Sequence, residues 1–199
     1  MDVLNVTAAG PAPLVVGIGG TGRAGSTTDL ALTLALRGAE QAGARTLKFD
    51  GAFLEQLPLF RPHHPGRVPA IRQLLARVAQ ADGVVLATPS YHGGVSALVK
   101  NALDYLEDLR EDTRPYLHGR AVGCLVSCAG WQAGGTTMAS LRSIVHALRA
   151  WPVPLGVTLT AETGRTEHVR DQLSAVGRMT TEFAQAFGAR QGATAQGAR

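Results

Sequence analysis

What this 199-residue chain has little of narrows the field first. Two cysteines, Cys124 and Cys128, are too few for a disulfide framework. Four residues apart on an extended strand, they would lie about 13 Å from each other, beyond disulfide reach. The spacing is not a redox Cys-x-x-Cys either, so both read as reduced, mostly buried thiols of a cytoplasmic protein. Lysine is nearly absent: Lys48 and Lys100 are the two among 19 basic residues, set against 15 acidic ones. The remaining basic residues are scattered arginines with no run of five. The formal charge of +4 therefore lacks the clustered stripe of a nucleic-acid binder. No apolar run approaches the roughly 20 residues that cross a bilayer, so no membrane association is expected. The N-terminal MDVLNVTAAGPAPL has no basic segment ahead of an apolar core and does not read as a secretory signal. His63 and His64 sit in a proline-rich loop with no third ligand nearby, and HExxH spacing is absent, so no metal site is expected. No Gly-x-Ser-x-Gly elbow supports a serine triad.

What is present is an ordinary globular composition, 45 % apolar and 17 % charged, enough for one sizeable domain. Residues 1–12 read as a flexible arm, 13–187 as the domain and 188–199 as a disordered tail with little to bury. Short apolar runs mark strands near 14–18, 45–49, 83–88, 121–126 and 153–159. Apolar residues at 3–4 spacing mark helices between and after them: Ala31, Leu34 and Ala35; Ile71, Leu74, Leu75 and Val78; Val95, Leu98, Val99, Ala102 and Leu103. Later stripes run through Met138, Leu141, Ile144, Val145 and Leu148, and through Val169, Leu173, Val176 and Phe183, the last ending near 187. Pro58, Pro62, Pro65 and Pro69 keep 50–69 mostly in loop. Strand alternates with helix five times, and the strands are continuously apolar. That is the pattern of an α/β fold, a parallel sheet covered on both faces. Ligands in such sheets sit beyond the carboxyl ends of the strands, which directs attention to the loops after 18, 88 and 126.

The first of these, Gly19–Thr28, is rich in glycine. It carries hydroxyls on Thr21, Ser26, Thr27 and Thr28, a planar charged fork on Arg23, and a following helix N-terminus. Together these suit a phosphate; the bland alternative is a Gly-rich turn with Ser26 as helix cap. Ser26 stands where a nucleoside-triphosphatase loop needs lysine, and GxGxxG does not fit. Asp50 is a strand-end residue.

The second loop reads Pro89, Ser90, Tyr91, His92, Gly93, Gly94 and leads into VSALVKNALDYL. With the first loop's Gly20, Thr21, Gly22, Arg23, Ala24, Gly25, Ser26, Thr27, Thr28, it resembles the NADPH-dependent FMN reductase family. Thr21 replaces that family's serine and keeps the hydroxyl; Thr28 replaces its asparagine. The resemblance runs over roughly 14–187. It implies a flavodoxin-like three-layer sandwich with a five-stranded parallel sheet of order 2-1-3-4-5. It assigns Thr21, Arg23, Ser26, Thr27 and Thr28 to the phosphate of FMN. Pro89, Ser90, Tyr91, His92 and Gly93 would wall the ribityl chain and the ring, and Ser127, Cys128, Ala129, Gly130 and Trp131 would form the loop under the ring. Trp131 fits both a lid over ring or substrate and a subunit contact. Lys100, Asn101 and Asp104 read as structural, with Lys100 and Asp104 an i,i+4 pair.

The implied activity is that of a flavin-dependent oxidoreductase. NADPH or NADH stacks on bound FMN and passes it a hydride. The reduced flavin then serves a small-molecule electron acceptor in the same cleft, a ping-pong cycle. Backbone N–H groups after the third and fourth strands would steady the negative charge of the reduced ring, and no dedicated protein acid or base is required. The acceptor classes left open are free flavin passed to a partner flavin-dependent monooxygenase, a quinone, an azo or nitro compound, chromate, or a pathway intermediate. Loops 50–69 and 108–118, with or without a second subunit, are expected to contact it. The resemblance further implies a homodimer or homotetramer. The competing readings are a flavin-binding electron carrier, disfavoured by the alkaline balance, and a non-catalytic flavin-binding interaction protein.

Overall fold

A computed structural model describes residues 11–64 and 66–197, with side chains described as far as 188. The arm expected at 1–12 lies outside the described residues but for its last two.

The first strand, β1 (Leu14–Gly19), is buried almost end to end. Its helix, α1 (Thr27–Gln41), is started by Ser26, whose side chain accepts from Asp29 N at 3.2 Å. Edge strand β2 (Arg45–Phe49) follows. Asp50 then caps a single turn, α2 (Gly51–Leu54), by accepting from Phe53 N at 3.0 Å. The proline loop thus contains a helical turn that the sequence reading leaves as coil. Pro69 opens α3 (Pro69–Gln80), where its missing N–H costs nothing.

Strand β3 (Gly83–Tyr91) runs three residues past its expected end. It continues because Ser90 and Tyr91 pair antiparallel with Val95 and Gly94 of the short β4 (Gly94–Val95). The connecting His92 and Gly93 have φ of 54° and 79°, a two-residue hairpin turn of the type whose twist matches the strands. Ser96 caps α4 (Ala97–Asp104), which tightens into a 3-10 turn at Tyr105–Leu109. After β5 (Ala121–Ser127), helix α5 (Trp131–Ala147) starts two turns earlier than its apolar stripe suggests, because Gly134 and Gly135 dilute the signal. Edge strand β6 (Trp151–Leu159) and α6 (Glu167–Gly197) complete the chain. The backbone of α6 continues past 187 as far as Gly197.

The five long strands are parallel in the order β2-β1-β3-β5-β6. Counting only those strands, this is the expected 2-1-3-4-5, with the hairpin strand β4 as an addition. Alternate residues feed two cores. Val16, Ile18, Val84, Leu86 and Val126 pack under α3, α4 and α5. Val15, Val85, Leu125 and Val157 pack under α1 and α6. Those two helices cross closely: a Cβ on Gly38 would strike the Ser174 backbone, and one on Gly177 the Ala35 carbonyl.

The amino ends of the strands are closed by Arg120, which is fully buried. Its guanidinium donates to the carbonyls of Ala81 at 2.8 Å, Ala79 at 2.6 Å, Tyr116 at 3.2 Å and His118 at 3.4 Å. The carboxyl ends stay open.

Candidate functional site

Four loops meet at the carboxyl ends of β1, β3, β5 and β6 and enclose a cleft of about 650 Å³, a size typical of cofactor sites. The structure brings twelve of the sequence-predicted residues to its wall: Thr21, Arg23, Ser26, Thr27 and Thr28 from the first loop, Pro89, Ser90 and Tyr91 from the hairpin, and Ser127, Cys128, Ala129 and Trp131 from the third. His92, Gly93 and Gly130 are not on that wall. His92 and Gly93 form the hairpin turn, and Gly130 is the residue before α5. Trp131 is the first residue of α5 rather than a loop residue, and it stays 58 % exposed, as does Tyr91.

The fourth loop is an addition the sequence reading missed: Thr160, Ala161, Glu162 and Thr163 also line the cleft. Its shape comes from a reciprocal bond pair, Thr160 N to Thr163 Oγ1 at 2.9 Å and Thr163 N to Thr160 Oγ1 at 3.1 Å. Thr-x-x-Thr ahead of a helix is the one signal that could have found it. Gly164 then packs against Thr27 of the first loop. Arg23 and Glu162 are the charged residues of the described wall, one of each sign.

Several hydroxyls expected to face a ligand are engaged with protein. Thr21 Oγ1 donates to the Arg23 carbonyl and accepts from Arg23 N, both at 3.2 Å, which shapes the loop. Thr28, itself buried, shares a 2.5 Å bond with Ser127. Ser90 donates to the Ala133 carbonyl at 3.0 Å and lies 2.7 Å from Thr137 Oγ1, fastening the hairpin to α5. After β5, the Cys128 N–H is spent on the Leu159 carbonyl. The groups left to meet a ligand include the Arg23 fork and the Thr27 O–H, which have no hydrogen-bond partner among the described residues, the Ser26 O–H, and the first-turn N–H groups of α1.

This set fits the phosphate of FMN: a free guanidinium, a capped fifteen-residue helix pointing its positive end at the cleft, and an open backbone at Gly25, where an added Cβ would meet nothing within 4 Å. Burial disfavours the thiolate at both cysteines. Burial pushes the Cys124 thiol up to about 12 and raises that of Cys128 as well.

No described residue of loops 50–69 and 108–118 lines this cleft. Parts of both border a separate cavity of about 880 Å³ that shares no lining residue with it. Phe60, His63, His64 and Arg67 lie on one side, and Asp108, Arg110 and Glu111 on the other. The expected Lys100–Asp104 pair is present at 2.6 Å. No described helix is long and apolar enough to cross a membrane.

A parallel sheet sandwiched by helices, with its cleft at the strand ends, defines a flavodoxin-like fold, and the comparisons with known proteins narrow that class. The family model described as NADPH-dependent FMN reductase matches residues 13–164. The chain belongs to that family. An NADPH azoreductase of Bacillus sp. (strain OY1-2) is 33 % identical over 107 residues, covering 53 % of this chain and 57 % of that protein. The chain therefore matches little more than half the length of that relative. An FMN-dependent NADPH-azoreductase of Staphylococcus haemolyticus is 32 % identical over 142 residues, 68 % of this chain and 70 % of the relative. Among solved structures, RosB with a bound flavin-phosphate intermediate superposes with a TM-score of 0.70 at 17 % identity, covering 94 % of this chain and 86 % of that one. It attests the fold.

Proposed function

We propose that the chain is a flavin-dependent oxidoreductase in which NADPH or NADH reduces FMN held in the four-loop cleft, and a small acceptor then takes the electrons there. Bound FMN supplies the redox chemistry; the chain supplies binding, orientation and charge. The observation that carries this reading is the concentration of unspent donors at Thr21–Thr28 in a chain of this family.

Arg23 donates its planar fork to the phosphate, a geometry that lysine cannot match. Ser26 adds its O–H, and the α1 N-terminus adds its first-turn N–H groups. The Thr28–Ser127 and Ser90–Thr137 bonds hold the phosphate loop, the hairpin and α5 in one frame. Pro89 and Tyr91 wall one side of the ring, and Ala129 and Trp131 the other. With the Cys128 N–H occupied, the amide of Ala129, which lines the cleft, is the one left after β5 to meet negative charge on the reduced ring. Tyr91 and Trp131 are exposed enough to meet the nicotinamide and then the acceptor in turn. The azo bond named for two relatives joins free flavin, quinones and nitro compounds as an acceptor class. The family resemblance supports a cytoplasmic homodimer or homotetramer, and delivery of free reduced flavin would pair it with a flavin-dependent monooxygenase.

Anaerobic titration of the FMN-loaded protein tests the reading. NADPH or NADH should bleach the flavin, and an azo dye or quinone should restore its colour. A flavin left oxidised by both nucleotides removes the reductase assignment.

A further inference from the structure

Asn101, Tyr105 and Asp108 lie on one stripe of α4 and its 3-10 extension, at spacings of four and three. All three grip the chain segment that follows α2. The Asn101 side-chain carbonyl accepts from Phe60 N at 2.8 Å, and its NH₂ donates to the carbonyls of Leu57 at 3.3 Å and Pro58 at 3.0 Å. Tyr105, which is buried, donates its O–H to the Pro58 carbonyl at 2.8 Å. Farther along, Asp108 takes a two-pronged bond from Arg67 at 2.6 and 2.7 Å. Arg67 also lies over the rings of Tyr105 and Phe60.

The near end of this strap is continuous with the phosphate loop. Leu57 N donates to Leu54 O at 3.1 Å, so the strap begins where α2 ends. Turn α2 is wedged against Gly20–Gly22 with no room to spare. A Cβ on Gly51 would overlap the Thr21 carbonyl, one on Gly20 would lie 2.7 Å from Gly51 N, and one on Gly22 would overlap the Glu55 carboxylate. A shift of α2 therefore shifts the backbone that carries Thr21 and Arg23.

We infer that Asn101 is a positioning residue for the phosphate loop: it fixes the Leu57–Phe60 backbone, which fixes α2, which sets the path of Gly20–Gly22. The inference rests on the assignment of the FMN phosphate to that loop. It separates the two ends of the strap. Asn101 acts on flavin binding, whereas the Arg67–Asp108 pair secures only the far end.

The test compares FMN with riboflavin, which lacks the phosphate, by fluorescence titration of flavin-free protein. The variants are Asn101→Ala, Asn101→Asp, Asp108→Asn and Arg23→Ala. Asn101→Asp has nearly the same shape and can keep the Phe60 bond, but it loses the donor to Leu57 and Pro58, so it serves if the alanine variant does not fold. Losing one or two such bonds lowers the ratio of FMN to riboflavin affinity by about five- to tenfold in the Asn101 variants. Asp108→Asn leaves the ratio unchanged. An unchanged ratio in both Asn101 variants overturns the inference, as does an equal fall for both flavins or an equal effect of Asp108→Asn. Arg23→Ala reports on the underlying reading by itself: a ratio unmoved in that variant removes the phosphate assignment, whatever the Asn101 variants show.

Discussion

Arg23 and Arg120 stand at opposite ends of the same sheet, and their surroundings could hardly differ more. Arg120 precedes β5, is wholly buried and donates to four backbone carbonyls. Its cationic form is penalised chiefly by burial, and the nearby Arg114 adds to the penalty, bringing the guanidinium down to about 10, still charged at neutral pH. Arg23 follows β1, is exposed, and makes no side-chain hydrogen bond within the described chain. One end of the sheet has spent its donors on its own backbone; the other keeps them for a ligand. Doubly wound sheets bind ligands beyond the carboxyl ends of their strands, so the contrast matches a division between stability and the proposed flavin site.

The largest effect that can break this comparison comes from Arg120→Leu. Four carbonyls lose a charged donor at a dry site, and urea unfolding should show a loss of about 3–5 kcal/mol. FMN affinity of the folded protein should stay within about twofold. Arg23→Ala should do the reverse. Removing one charge-assisted contact costs about 1.5–3 kcal/mol of binding, roughly 10- to 100-fold in the FMN dissociation constant. Unfolding should move by no more than about 0.5 kcal/mol. If either variant shows the other's signature, the division between the two ends fails.

A smaller effect follows from the buried thiol in the middle of β5. The folded chain keeps Cys124 protonated up to about 12, whereas the ordinary thiol ionises near 9.0. The unfolded state alone releases that proton, so stability is lost as pH rises past 9. Wild type should lose about 1 kcal/mol more than Cys124→Ala between pH 8 and 9.5. Parallel stability curves for the two proteins would show that Cys124 ionises as readily folded as unfolded. The smallest effect belongs to the exposed Lys100–Asp104 pair. Lys100→Ala should cost at most about 0.5 kcal/mol and leave flavin binding alone.

The sheet was legible because its central strands are unbroken apolar runs, Val84 to Ala87 being the plainest. The first loop of the cleft was legible from Gly20, Arg23 and Ser26 standing between strand and helix. Other features had little or no local signal. Pro89 looks like a strand stop, yet β3 passes through it because Ser90 and Tyr91 find partners in Val95 and Gly94. Thr28 and Ser90 were readable as hydroxyls, but not as hydroxyls turned toward other loops, since Ser127, Ala133 and Thr137 are distant in sequence. Thr160–Thr163 carries neither glycine nor an aromatic to mark it. Asn101 reads as one more polar helix residue, because its partners Leu57, Pro58 and Phe60 are backbone groups more than forty positions away. Periodicity reports burial, and residue type reports chemistry. Neither reports the partner of a long-range hydrogen bond.

The most direct measurement is a crystal structure of the FMN complex. The phosphate should lie within hydrogen-bond distance of the Arg23 guanidinium and the N-terminal amides of α1, with the ring between the Tyr91 hairpin and the Ala129–Trp131 segment. A flavin seated elsewhere, in the Phe60–Glu111 cavity for example, or a phosphate turned away from Arg23, would contradict the account.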